Sequence, residues 1–420
     1  MRVVFINISD IKGGASIAAN RLRMFLTKNY GAETYYFVAD KSLDEETVFS
    51  TRRKLSGLIE KVIDRILNGL GLQYQFFPFS SFFLVQRIKH LNPDVISLHN
   101  THGGYFQTNV LRKISRIAPV IWTLHDMWSF TGNAAHTFGN ESWKKLENDL
   151  LLTKVHPKIG INTGSFLLRQ KANIYRKSNL ILIAPSRWLL KAAQESPVFV
   201  GKQLLHVFNG IDLNIFCPQN KRETRARLGI PSEAKVLMFS AGALVDNMWK
   251  GGKDLEDVLQ RINSKINYKL HLIIVGSGDL NSLLKLTNFT VHQIGFVQAE
   301  NEMANYFSAS DVVIYPTKAD TLPNTLVEAI ACGTPCVTFD IGGCKEIIIN
   351  DQTGIVIQPF DVAEMSNSVV GLLMDDDRLK WMSARARDHA KKNFSIESMA
   401  KKYYDIFKLA INNLDLQKIK

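Results

Sequence analysis

Short apolar runs that end in Gly, Asn, Asp or Ser, alternating with stretches of helical periodicity, constrain this chain more than any other feature. In the first half the runs are residues 3–8, 34–38, 95–98, 120–124, 180–183 and 204–208. In the second half they are 236–239, 270–275, 291–296, 312–315, 336–339 and 355–357. Runs of this length, rich in Val and Ile, read as strands buried on both faces of a parallel sheet. Their alternation with helices reads as βαβ units. Six runs in each half predict an α/β protein of two doubly wound domains, 1–208 and 209–394. The seam falls at the Asn-Gly and Cys-Pro breaks within 209–219. A last helix, 395–420, is expected to pack back on the first domain. At 46% hydrophobic and 21% charged residues the chain is neither disordered nor collagen-like, and four cysteines are too few for a disulfide scaffold.

Charge divides the halves. Residues 1–210 hold 27 Lys and Arg against 14 Asp and Glu, a net of +13, whereas residues 211–420 hold 24 against 25. The first half is therefore expected to meet something anionic: a membrane surface, a phosphorylated substrate or nucleic acid. No RNA-binding aromatic signature or zinc-finger spacing favours nucleic acid. Met1-Arg2 runs into a short strand-like segment rather than a secretory apolar core, and no run is long enough to span a membrane. The expected setting is the cytoplasm, with peripheral attachment to the inner membrane face as its variant. Leu55, Leu58, Ile59, Val62, Ile63, Ile66, Leu67 and Leu70 have amphipathic helical spacing, accompanied by Arg52, Arg53, Lys54, Lys61 and Arg65 and followed by Phe76, Phe77, Phe79, Phe82 and Phe83. This is either an interfacial anchor on an anionic membrane or a core-packed helix with a solvated charged face.

Ligands of parallel sheets bind beyond the carboxyl ends of strands, so the residues there carry the functional reading. The densest stretch runs from Asp320 through Leu322, Asn324, Thr325 and Glu328 to Gly333-Thr334-Pro335. Asn324 or Thr325 is placed to cap a helix whose N-terminus favours a phosphate. Glu328, one turn in, is placed to bind a ribose hydroxyl; the plainer alternative is an ordinary β–loop–α unit. Gly13-Gly14 follows the first strand, where a backbone can approach a ligand closely. Gly276 and Gly295 end two strands of the second half, and Lys250-Gly-Gly-Lys253 follows another. His99-Asn100, His125-Asp126 and Ser186-Arg187 end three strands of the first half. Ser186 reads as a helix cap. Cys332, Cys336 and Cys344 have no metal-binding spacing and read as small packed residues. No Asp-x-Asp follows a strand, and no metal site is indicated.

The segment 319–346, with Leu322-Pro323-Asn324-Thr325, Glu328-Ala329, Cys332-Gly333-Thr334-Pro335 and Asp340-Ile341-Gly342-Gly343-Cys344-Lys345-Glu346, resembles the nucleotide-sugar site of family 4 glycosyltransferases of the GT-B fold, the group 1 enzymes of bacterial polysaccharide synthesis. In their Glu-x7-Glu signature Asp320 takes the first position, one methylene shorter, and Glu328 the second. The resemblance implies two facing Rossmann-like domains with a cleft between them, and a retaining, metal-independent hexosyl transfer. The nucleotide-sugar is then a substrate, with no cofactor, and the acceptor is a glycan or a lipid-linked sugar. It implies that His125 contacts the donor sugar together with Asp320, and that the Gly14 loop lies over the donor diphosphate. It also implies that Lys250 grips the diphosphate, and that the Gly295 region packs on the base. The family's Arg after the first strand of the second domain is absent, Gly242 and Ala243 standing near its place. Lys253 or Arg187 is the candidate to compensate. His99, Asn100, Asp126 and Arg187 then border the acceptor, and Asn209-Gly210 resembles the interdomain hinge. Two rivals remain at this point: an epimerase of sugar nucleotides on the same fold, and a nucleotide-sugar-binding subunit without catalysis.

Overall fold

The computed structural model describes residues 1–52, 54–146, 156–243, 249–278 and 285–418. The chain forms two units, Met1–Gly210 with Glu397–Lys420, and Ile211–Ile396. The first runs β1 (Arg2–Ser9), α1 (Gly14–Tyr30), β2 (Glu33–Asp40), β3 (Val48–Ser50), α2 (Lys54–Gly69), α3 (Pro78–Leu91), β4 (Val95–Leu98), α4 (Leu111–Ile114), β5 (Val120–Thr123), α5 (Gly164–Arg176), β6 (Leu180–Ala184), α6 (Arg187–Glu195) and β7 (Gln203–His206). Its seven strands are ordered β3-β2-β1-β4-β5-β6-β7, all neighbours parallel. Strands β4 and β5 are buried along their whole length, as expected of central parallel strands under helices.

Six of these strands lie on the apolar runs. The seventh, β3, was not expected: three residues are too short to show a period, and it pairs only at the sheet edge with β2. Helix α1 starts at Gly14, where Gly13 adopts φ 86° and its carbonyl accepts from Ser16 and Ile17 N–H.

The second unit runs α7 (Lys221–Arg227), β8 (Lys235–Ala243), α8 (Gly252–Lys265), β9 (Leu270–Ser277), β10 (Phe289–Gly295), α9 (Glu300–Ala309), β11 (Val312–Tyr315), α10 (Asn324–Ala331), β12 (Cys336–Phe339), α11 (Cys344–Ile347), β13 (Gly354–Ile357), α12 (Val362–Leu373) and α13 (Asp376–Asn393). Its parallel sheet is ordered β10-β9-β8-β11-β12-β13. All six strands coincide with the apolar runs. Arg387 of α13 donates to the carbonyls of Leu213, Phe216 and Ala331, tying the unit's first loop to the end of α10.

The last helix, α14 (Ile396–Lys418), is counted with the first unit. There the Tyr403 hydroxyl lies 2.8 Å from Thr123 Oγ1 and the Tyr404 ring rests on Tyr30. In each sheet the strand order reverses once, between β1 and β4 and between β8 and β11. The carboxyl ends beside those reversals are where open sheets bind ligands.

Candidate functional site

In the second unit, β11 leads the chain out at its carboxyl end through 316–323 into α10. The Trp249 carbonyl accepts from Lys318 N (2.7 Å) and Thr317 Oγ1 (3.0 Å), fastening 249–251 to this exit. Gly251, at φ 69°, sits so close that a Cβ would lie 1.9 Å from the Pro316 carbonyl oxygen, so only glycine permits the approach. The result places Lys250 over the β11 exit. Its Nζ is 2.5 Å from Asp320 Oδ2 and 3.0 Å from the Tyr315 hydroxyl, which itself donates to Asp320 Oδ2 at 2.8 Å. Burial works against the ammonium. The Asp320 carboxylate and Tyr315 hydroxyl outweigh it and hold the Lys250 pKa above the ordinary lysine value. Burial and Asp320 push the Tyr315 phenol well up, so it stays a neutral donor. On the other side, Gly342 at φ 55° packs its backbone on Asp320, where a Cβ would lie 1.7 Å from the Asp320 carbonyl oxygen. Lysine has three N–H donors, and two of them are spent on this pair.

Leu322 and Glu328 are buried, and Asn324 and Thr325 half-buried in the first turn of α10. Neither Asn324 nor Thr325 caps the helix, contrary to the sequence expectation. The cap position belongs to Pro323, which has no side-chain acceptor, and the helix begins at Asn324. Lys253 is exposed in the first turn of α8, outside the Lys250 cluster; the next residue, Asp254, pairs with Lys318 at 2.8 Å. Gly276 and Gly295 lie at the ends of β9 and β10 with φ 134° and 79°. Cys332, Cys336 and Cys344 are buried free thiols, Cys344 pushed up to about 12 mainly by burial. A wider cavity along β13, lined by Asn350, Gln358, Asn367 and Arg378 among others, holds none of the residues read from the sequence.

The first unit gathers its histidines at the ends of β4 and β5. His99 is buried against the Phe5 ring, with Ser97 Oγ 3.2 Å from its Nε2 and His125 Nε2 3.0 Å from its Nδ1. Burial and the neighbouring ring push His99 well below the ordinary histidine value. His125 falls to about 4, because burial outweighs the help of Asp126. Both rings are therefore neutral near pH 7. Asp126 accepts from His102 Nε2 (2.6 Å) and from Trp128 N (2.8 Å); burial opposes its charge, but His102 and these bonds keep its pKa low. His99, Asn100, His102, His125, Asp126 and Trp128 share one small cavity. Asn100 is fixed by its backbone, its N–H on Asn7 Oδ1 and its carbonyl under the Tyr105 hydroxyl. Gly14 opens α1, and Arg187 is exposed in the first turn of α6, whose cap is Ser186.

Three participants escaped the sequence reading. Tyr315 looked like one more apolar strand residue. His102 stands four residues past the end of β4 and had only the following Gly103-Gly104 to mark it. Lys171 lies on α5, far in sequence from the loop it holds: its ammonium donates to the carbonyls of Trp128, Thr131 and Gly132 and sits 3.7 Å over the Trp128 ring.

Residues 234–375 match the family described as glycosyl transferases group 1. The chain carries a group 1 glycosyltransferase domain. The match takes in Lys250, Tyr315, Asp320 and Glu328. Among curated relatives, D-inositol 3-phosphate glycosyltransferase 1 of Catenulispora acidiphila is 29% identical over 50% of this chain and 54% of its own length. The chain thus spans about half of that relative. A second protein of that organism, D-inositol 3-phosphate glycosyltransferase 2, is 25% identical over 84% of this chain and 89% of its own. Among solved structures, Anabaena Alr3699/HepE in complex with UDP-glucose aligns over 97% of this chain and 99% of its own with a TM-score of 0.65 at 16% identity. With two parallel-sheet, Rossmann-like units, the chain has the GT-B fold of these solved structures.

Proposed function

We propose that this chain is a retaining, metal-independent glycosyltransferase that moves a sugar from a nucleotide-sugar to a glycan or lipid-linked acceptor, in the synthesis of a bacterial surface polysaccharide on the cytoplasmic side. The observation that carries the reading is the Lys250–Tyr315–Asp320 cluster at the carboxyl end of β11, inside the stretch that matches group 1 glycosyltransferases. When the donor's sugar–phosphate bond breaks, negative charge grows on the departing diphosphate. A lysine already held charged and in place stabilises that charge without reorganising. Asp320 Oδ2 is engaged by Lys250 and Tyr315, so its other oxygen accepts from a hydroxyl of the donor sugar. Glu328 accepts from the ribose. In the first unit, neutral His125 hydrogen-bonds a sugar hydroxyl, and Asp126, His99, Asn100 and Arg187 receive the acceptor.

HepE's complex with UDP-glucose makes uridine diphosphate sugars the first donors to assay. The inositol 3-phosphate in the relatives' names makes a phosphorylated polyol the first soluble acceptor. A second reading, binding of a nucleotide-sugar without transfer, is favoured by Gly242 and Ala243 standing near the place of a second phosphate-gripping cation. A panel of sugar nucleotides tested for thermal stabilisation checks the shared premise. One member is expected to raise the melting temperature by mass action, and no stabilisation by any of them would count against both readings.

A further inference from the structure

Helix α2 is turned the wrong way round for a core helix. Its inward side mixes polar residues with the half-buried Ile63 and Leu67: Glu60 is buried and accepts from the N–H groups of Phe79 (2.8 Å) and Ser80 (3.0 Å) and from the Ser80 hydroxyl. These are donors that the first turn of α3 leaves unmet, since its cap residue Phe77 offers no side-chain acceptor. Asp64 and Asn68, the next positions along that side, are half-buried and hydrogen-bonded to each other. With Gly57, Glu60, Asp64 and Asn68 facing inward, Leu58, Ile59, Val62 and Ile66 face out. With Leu70 just beyond the helix and Phe79 and Phe82 of α3, these apolar side chains are 45–62% exposed. Lys61 and Arg65 are exposed on the same helix. The core-packed alternative raised by the sequence therefore fails for this face.

We propose that the outer face of α2, with Phe79 and Phe82, seats in the interfacial zone of an anionic lipid bilayer. Apolar side chains ranged along a surface helix beside basic ones are what an interfacial helix presents to lipid. The net +13 of residues 1–210 supplies the complementary charge. The same charge argues against a second copy, since pairing two such faces would set Lys61 and Arg65 of each against the other. Two residues of the sequence cluster take no part: Arg52 is held by Asp40 and by the carbonyls of Gly103 and Gly104, and Phe77 is core. The side chains of Arg53, Lys54 and Leu55 lie outside the described residues. The proposal does not depend on the transfer reaction, because its test uses no nucleotide.

The experiment is flotation of the full chain with phosphatidylcholine vesicles, with and without phosphatidylglycerol, at low and high salt. Binding is expected only to the anionic vesicles and is expected to fall with salt, because exposed charges are screened within about 8 Å at physiological ionic strength. Lys61→Gln and Arg65→Gln are each expected to weaken it about fivefold. The triple variant Leu58→Ser, Val62→Ser, Ile66→Ser is expected to weaken it about tenfold or more with an unchanged melting temperature, since it removes apolar area that is already exposed. Wild-type protein that ignores anionic vesicles at low salt overturns the proposal. So does equal binding to neutral vesicles, or a folded triple variant that binds like wild type. A dimer in vesicle-free buffer that the triple variant abolishes would also overturn it, giving the face to a second copy.

Discussion

Lys250→Met separates what Lys250 does for the fold from what it does for chemistry. The substitution keeps most of the side chain's volume and removes the charge, leaving the Asp320 carboxylate, 15% exposed, with only the Tyr315 hydroxyl. Removing one member of a buried ion pair costs about 3–5 kcal/mol; with Lys250 itself 28% exposed, solvent screening brings the expected loss to about 2–3 kcal/mol. Adding Asp320→Asn removes the orphaned charge and is expected to return stability to within about 1 kcal/mol of wild type. Activity should not return: a charge donor lost at a departing diphosphate costs about 10²–10³ in kcat. The sign of the pH dependence is fixed as well. Lys250's pKa is raised, so its stabilisation is fully present below the ordinary lysine value of about 10.4 and fades only as pH climbs through the raised one. The stability gap between wild type and Lys250→Met should thus be flat from about pH 6 to 9. Urea unfolding and saturating-donor transfer assays on the single and double variants read both quantities. Transfer by Lys250→Met within about threefold of wild type, or a double variant that regains activity along with stability, would show that the Lys250 charge does not serve the departing diphosphate.

Other outcomes follow from the same geometry. Glu328→Ala should weaken nucleotide-sugar binding by about 1.5–3 kcal/mol in calorimetry, the worth of a charged hydrogen bond, and unchanged affinity in a folded variant would remove Glu328 from the site. Transfer should persist in excess chelator; complete loss restored by a divalent ion would contradict the metal-independent reading. His125 is held neutral with its pKa lowered to about 4, so the unfolded chain binds the extra proton as pH falls below about 6.5. From pH 7.5 to 5, wild type should therefore lose about 2 kcal/mol more stability than His125→Gln, and equal losses would show that this ring titrates normally.

The fold was legible because parallel strands buried on both faces must be apolar throughout, and the six strands of the second unit announce themselves that way. Strand β3 was not, because Val48-Phe49-Ser50 carries too few residues for a period and owes its place to pairing with β2. Motif spacing singles out Glu328 and Lys250 as candidates, but it does not show the pairing of Lys250 with Asp320 and Tyr315. It depends on Gly251 letting two loops seventy residues apart in sequence touch. The expected cap at Asn324 or Thr325 failed by one residue, since Pro323 holds the position and a sequence pattern sets helix ends only loosely. Periodicity identified α2 as amphipathic but not which side met the core. That was decided by Glu60 capping α3, a contact across a turn that no periodic pattern encodes.

Sugar transfer is tested by following a carbon-13-labelled sugar by NMR from the stabilising sugar nucleotide. In the presence of a phosphorylated polyol or a lipid-linked acceptor, label is expected in a new glycoside with the anomeric configuration of the donor. Label that stays on the nucleotide as an altered sugar, or that is bound and never released, would contradict it.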